Sequence, residues 1–199
     1  VKLIRAAEQP ILLVGQGVFV SRAHAEVAKL AKALQCPVIQ TTGGAAVMQG
    51  LEGRTFPYAS PMGTEAVAAS DLVIAIGTEI GEPLHYGGGR HWSKGNTARK
   101  WIYVERDPLA IGVNRQIDVP LVGDLRDIAP QLTKALGKAP REASPQLAKW
   151  EADSAALRKM LADSAPTRSS PIHPARFAVE ATRALPDDDA QTYVARSVS

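Results

Sequence analysis

Cysteine is nearly absent from this sequence, since Cys36 is the only one among 199 residues. A single cysteine excludes a disulfide within the chain and a metal site built from cysteines alone. Cys36 precedes the apolar segment PVI, a position typical of a small buried side chain rather than of a nucleophile. Cys36 is therefore expected to have a packing role.

Long apolar runs and clusters of basic residues are also missing. No run approaches the roughly 18 apolar residues that cross a membrane. Lys and Arg are scattered, and the net charge is only +3, so neither a membrane nor a nucleic acid is an expected partner. The chain starts at Val1 without a charged and apolar leader. We expect a cytoplasmic location and a segment of a longer polypeptide.

Short apolar segments alternate with helical patterns through the first 136 residues. Segments such as ILLVG and LVIAIG are apolar throughout, which is typical of strands covered on both faces of a sheet. Helical segments follow them, and Ser21 is the expected N-cap of the first long helix. This order predicts an α/β fold with a doubly wound, mostly parallel six-stranded sheet and helices on both faces, followed by a helical linker.

Glycines and hydroxyls follow the predicted strands, at the edge where doubly wound sheets bind ligands. GQGVFV lacks the third glycine of a dinucleotide fingerprint, so a phosphate loop and a simple tight turn are both open. Two further candidate loops are TTGG, which starts at Thr41, and GTE, which starts at Gly77. Candidate cofactor-binding residues at these ends are Gly15, Gly17, Thr41, Gly44, Gly77 and Thr78.

Two further candidate pairs have structural alternatives. Gly63 and Thr64 precede a predicted helix, where Thr64 is expected to be an N-cap if the segment is taken alone. Glu105 and Asp107 follow another strand. Glu105 is the candidate acceptor for a ribose diol, whereas Asp107 is better explained as the cap of a helix at Pro108.

No set of residues forms a recognisable catalytic or metal site. His85 and His91 lie in a glycine-rich loop beside Tyr86 and Trp92, without converging ligands, and this loop is expected to face solvent. A nucleophile elbow and a P-loop are absent from the sequence. No catalytic residue and no metal ligand is therefore predicted.

The composition changes after Leu136. Residues 1–136 are predicted as the central α/β nucleotide-fold domain. Residues 137–170 are predicted as a linker with one helix, and 171–199 as the truncated start of a further domain, with Phe177, Ala181 and Leu185 facing inward.

The first 136 residues resemble the central domain of thiamine-diphosphate-dependent enzymes of the acetolactate synthase type. The resemblance rests on the order and spacing of several segments, and the later SSPIHPARFAVEATRALPDD resembles the entry into the diphosphate-binding domain. These segments are AAEQPILLVGQGV, CPVIQTT, PMGTEAV, SDLVIAIGTEIGE, WIYVERDPLAIGVNR and VPLVGDL.

The resemblance implies a parent enzyme that decarboxylates or ligates 2-oxo acids with thiamine diphosphate and Mg²⁺. It also implies that the activating glutamate and the Gly-Asp-Gly motif lie in other domains, so this chain alone should not turn over substrate. The central domain holds FAD or ADP in some members, through the glycine, threonine and acidic positions named above. Glu79 stands where flavin-bearing members usually have arginine, which disfavours a pyrophosphate here.

The implied partners are the other domains of the same enzyme, in a homodimer or homotetramer of the parent. Two alternatives stay open at this point: a stand-alone nucleotide-binding module, and a truncated pseudo-enzyme. A sirtuin-like deacylase is excluded, because that family needs a four-cysteine zinc module.

Overall fold

The computed structural model describes most of the chain. The described residues are 1–44, 50–51, 53–92, 98–137, 141–164 and 168–184. Predictions that fall on Leu185, on the segment QTYVARSVS and on the alanines of TTGGAA lie outside these residues.

A six-stranded sheet with only parallel pairs forms the centre of the fold, as the apolar segments predict. Its order is β3-β2-β1-β4-β5-β6, so the chain first adds β2 and β3 on one side of β1 and then returns to add β4, β5 and β6 on the other side. The strands are β1 Pro10–Val14, β2 Val38–Gln40, β3 Thr55–Pro57, β4 Leu72–Ile76, β5 Lys100–Glu105 and β6 Val119–Val122.

Helices connect these strands and cover the apolar segments. β1 and β4 are buried at every position, which confirms that both faces of the sheet are covered. In the first long helix, Val27, Leu30 and Leu34 are buried, and their spacing of three and four residues places them on one face. The helices are α1 Lys2–Ala6, α2 Gln16–Val20, α3 His24–Leu34, α4 Pro61–Ala69, α5 Leu125–Leu136, α6 Pro145–Ser164 and α7 Pro174–Ala184.

Both predicted N-caps are wrong. Ser21 ends α2 instead of starting α3, because the chain makes a short helix directly after Gly15 and then turns through Arg22 at φ 52°. Thr64 lies inside α4, whose cap is Ser60; its hydroxyl accepts a hydrogen bond from the Gly63 amide at 3.0 Å. Pro61 then occupies the first helical turn, where its missing N–H costs nothing.

The glycine-rich loop after β4 is only partly exposed to solvent. Trp92 is buried, contrary to the prediction of a solvent-facing loop, and its indole donates to the Leu84 carbonyl at 2.6 Å. Buried Arg99 donates to the carbonyls of Val67 at 3.0 Å and Ser70 at 2.9 Å and lies 5.5 Å from the Trp92 ring centre. Arg99 thus provides hydrogen-bond donors for the carbonyl groups at the end of α4 and holds the loop against this helix.

The chain divides into two compact units, Val1–Trp150 and Glu151–Ser199. In the first unit, Leu147 and Trp150 at the start of α6 are buried, and the Trp150 indole donates to Glu65 at 3.0 Å. In the second unit, Phe177 of α7 is 47% exposed, and its inward orientation within a complete following domain stays a prediction. Among the helices described, none is long and apolar enough to cross a membrane.

The buried thiol of Cys36 should make the free energy of unfolding depend on pH, which tests the packing of the core. Complete burial raises the pKa of its thiol from an ordinary 9.0 to about 12. Above pH 9 the unfolded chain therefore loses this proton while the folded chain keeps it, so folding stability must fall as the pH rises. Between pH 8 and 10 the wild type should lose about 1 kcal/mol more free energy of unfolding than Cys36→Ala. Urea unfolding at both pH values measures the difference, and equal losses would contradict a buried neutral thiol.

Candidate functional site

A crevice of about 700 Å³ lies at the carboxyl edge of the sheet. It opens around β1 and β4, where the strand order reverses, which is the usual ligand position in doubly wound folds. Loops after all six strands contribute to it. The polar lining includes Gln16, Thr41, Thr42, Tyr58, Thr78, Glu79, Glu82, Glu105, Arg106, Asn114 and Asp124.

The loops after β1 and β4 are in direct backbone contact beneath this crevice. The Gly17 amide donates to the Gly77 carbonyl at 2.8 Å, and the Gly15 amide donates to Ile76 at 3.2 Å. A Cβ on Gly17 would lie 2.6 Å from the Cα of Gly77, and one on Gly15 would lie 2.4 Å from the Cβ of Thr78. The contact therefore needs glycine for packing of the chain itself.

Five of the ten predicted site residues line the crevice together. They are Gly17, Thr41, Gly77, Thr78 and Glu105. Gly15 is buried below them, and Gly44 packs so that a Cβ would lie 2.2 Å from the Val14 carbonyl. These placements agree with the predicted edge, while the role of each residue in cofactor binding stays a prediction.

The remaining predicted residues lie apart from the crevice lining. Gly63 packs against the Pro57 carbonyl, 2.1 Å from where a Cβ would stand, and Thr64 sits in the first turns of α4. Asp107 lines a neighbouring cavity of about 330 Å³. Its carboxylate accepts from the Leu109 amide at 2.9 Å, so the predicted capping role is confirmed, although the turn that it caps is a short 3₁₀ helix.

Glu105 is held at the tip of β5 by its own turn. One carboxylate oxygen accepts from the amides of Arg106 at 2.7 Å and Asp107 at 3.2 Å, and the other accepts from the Tyr103 hydroxyl at 3.4 Å. Burial, and then the charge of Glu105, raise the pKa of Tyr103 above its ordinary value. Much of the acceptor capacity expected for a ribose therefore serves the turn.

Asp124 belongs to the only Gly-Asp pair in the sequence, Gly123-Asp124. Its carboxylate caps α5 by accepting from the Arg126 amide at 2.8 Å, and it forms a salt bridge with the Arg126 side chain at 3.2 Å. Hydrogen bonds from Arg126 lower the pKa of this carboxyl. The pair thus acts as a helix cap, and it does not provide the donor set of a diphosphate-bound Mg²⁺.

The charge lining the crevice is mainly negative. Glu79 and Glu82 are exposed on the loop after β4, and Glu105 and Asp124 face the same space from β5 and the end of β6. Among the described residues that line it, Arg106 is the only Lys or Arg. A pyrophosphate placed here would meet carboxylates from several sides, which is unfavourable. The residues present therefore do not fit the pyrophosphate of FAD or ADP.

Sequence reasoning missed the outer wall of the crevice. Tyr58, which follows β3, lines it together with Leu84 and Tyr86 of the 3₁₀ segment Glu82–Gly87. Strand β3 is only three residues long, so its pattern TFP gave no usable periodicity. The density of glycine after LVIAI was the one signal that this loop turns back onto the sheet.

The fold and the crevice define the class as a doubly wound nucleotide-fold domain. The family model for the central domain of thiamine pyrophosphate enzymes matches residues 1–132. The chain therefore belongs to the thiamine pyrophosphate enzyme family and contains its central domain, in agreement with the resemblance read from the sequence.

Acetolactate synthases are among the similar curated proteins. The acetolactate synthase of Arthrospira platensis is 33% identical over 134 residues, which cover 64% of this chain and 22% of that protein. The probable acetolactate synthase large subunit of Methanococcus aeolicus is 29% identical over 201 residues, covering 94% of this chain and 32% of that protein. The chain thus spans 22% to 32% of the length of these relatives.

A solved structure supports the fold. An X-ray structure described as a thiamin diphosphate-dependent enzyme from Mycobacterium smegmatis superposes with a TM-score of 0.57 at 24% identity. The match covers 72% of this chain and 28% of that chain. At this level of identity the likeness concerns the α/β architecture.

The glycine contact can be tested by adding one methyl group. Gly17→Ala forces a Cβ against backbone atoms of Gly77 and should lower the free energy of unfolding by about 2 kcal/mol. Gly53→Ala is the matched control, because nothing lies within 4 Å of its added Cβ, and it should be near neutral. Urea unfolding of the two variants measures this, and equal effects would show that the contact does not constrain the edge.

Proposed function

We propose that this chain is the central domain of a larger acetolactate synthase-like enzyme that acts on 2-oxo acids with thiamine diphosphate and Mg²⁺. Its own contribution is architectural: a rigid sheet joined to the catalytic domains of the parent. The family match over residues 1–132 supports the placement, and the relatives' greater length supports the presence of other domains. A homodimer or homotetramer of the parent is the assembly that this proposal implies.

The observation that carries the architectural role is the composition of the crevice. The Gly17 amide donates to the Gly77 carbonyl and the Gly15 amide donates to the Ile76 carbonyl. These two amides are therefore already used within the chain and are not available to a ligand in the crevice. The polar side chains that remain include Glu79, Glu82 and Glu105, which repel phosphate. A domain that had to hold FAD or ADP tightly would need donors or cations at this edge.

A specific observation favours nucleotide binding as a second candidate. The crevice has the position and size of a ligand site, and hydroxyls of Thr41 and Thr78 lie at its strand ends. A stand-alone nucleotide-binding module, or a truncated pseudo-enzyme that retains nucleotide binding, would use this site. The sequence that flanks this segment in its gene distinguishes these alternatives from the first proposal. The first proposal expects a domain with the activating glutamate before the segment and a Gly-Asp-Gly motif after it.

Calorimetry tests whether charge prevents nucleotide binding. The wild-type chain titrated with ADP, FAD and NAD should give no saturable binding tighter than about 1 mM. Glu79→Arg replaces a repulsive carboxylate by a cation at the crevice and should strengthen ADP binding at least about tenfold.

The matched control for this experiment is Glu142→Arg, which changes net charge equally at an exposed site that does not line the crevice. It should behave as the wild type. Saturable binding of any of the three nucleotides by the wild type would favour the nucleotide-binding alternative. An equal gain in both variants would show that overall charge, rather than the crevice, controls affinity.

A further inference from the structure

Residues 81–92, which follow β4, form a wall of the crevice that is held by side-chain contacts. Within residues 81–92, Glu82, Leu84 and Tyr86 line the crevice. The segment turns in two short 3₁₀ helices, Glu82–Gly87 and Arg90–Trp92. Its position therefore decides how open the crevice is.

Two consecutive residues in this wall have left-handed backbone conformations. His85 has φ 50° and Tyr86 has φ 53°, and neither is a glycine. Left-handed conformations are unfavourable for such residues and persist only where surrounding contacts impose them. The wall thus contains a strained turn that other contacts must stabilise.

A stacked pair of histidines is one of the contacts that stabilise this turn. The imidazoles of His85 and His91 stack with ring centres 4.3 Å apart and an angle of 23° between their planes. The Nδ1 atom of His85 also shares a hydrogen bond of 3.1 Å with the Tyr58 hydroxyl, which comes from the turn after β3. Strain at His85 is therefore balanced by two contacts, both made by its imidazole.

The other contacts of the wall do not titrate in the neutral range. The Arg115 guanidinium donates to the carbonyls of Tyr86 at 3.3 Å and Gly87 at 2.5 Å. Trp92 donates to Leu84, and Arg99 lies beside the Trp92 ring. Among the described residues, the other titratable and charged groups near the two imidazoles are Tyr58, Glu82, Arg90, Arg99 and Arg115. Histidine is the side-chain type whose charge ordinarily changes in the range between pH 5 and 8.

We propose that the His85–His91 stack is a proton-operated latch on the wall of the crevice. With at most one imidazole charged, the stack holds the strained turn closed. When acid charges both rings, two cations at this separation repel each other, the stack opens, and the turn relaxes away from the crevice. This inference is independent of the proposed function, because it concerns the wall and not the occupant.

Hydrogen exchange resolved along the chain tests the latch. Wild-type protection factors in residues 84–92, corrected for intrinsic rates, should fall about tenfold or more between pH 7.5 and 5.5. The amides of Tyr86, Gly88 and Trp92 report directly, because each is hydrogen-bonded within the segment. His91→Gln removes the stack together with one chargeable ring, so protection in this segment should already be low at pH 7.5 and should not fall further at pH 5.5.

Two further variants make the result specific. His85→Asn removes the same ring pair while keeping a residue type that tolerates a left-handed backbone, and it should abolish the pH response. His24→Gln, outside the wall, should respond as the wild type. Unchanged wild-type protection at pH 5.5, a full response in His91→Gln, or a response lost in His24→Gln would each overturn the latch.

Discussion

The backbone contact between Gly17 and Gly77 is the constraint on which the carboxyl edge of this molecule depends. It brings the loops after β1 and β4 together at the point where the strand order reverses, with a hydrogen bond of 2.8 Å and no room for a side chain. Because both loops are fixed here, the polar residues that follow them are fixed as well. The crevice above is thus a consequence of how two neighbouring strands end.

The glycine contact shows that this chain can keep the fold of its family while its crevice lacks the groups that would bind a phosphate. Glycines that in other proteins admit a phosphate are occupied here by the chain itself. The side chains left to face the crevice include Glu79, Glu82 and Glu105, which oppose an anion. Family membership and an unfavourable site for a pyrophosphate are therefore compatible, because membership depends on the sheet and the cofactor depends on a few loop residues.

Much of the fold could be predicted from the sequence because its strands are unusual segments. LVIAI and ILLV are apolar throughout, and few structures other than a covered parallel strand suit them. Strand β3 and the cap at Ser60 could not be assigned, since a three-residue strand has no periodicity and serine has the same local signal at position 21. The burial of Trp92 depends on Arg99 and the end of α4, which are contacts that no local pattern encodes.

We propose that the backbone contact between the loops after β1 and β4 leaves the crevice above it unable to hold a phosphate. Amide chemical shifts during a titration of the ¹⁵N-labelled chain with ADP test it most directly. We expect no saturable shift for the amides of Gly17, Gly77 and Thr78. Saturable shifts at these residues would contradict it, because they would show the glycine loops serving a ligand.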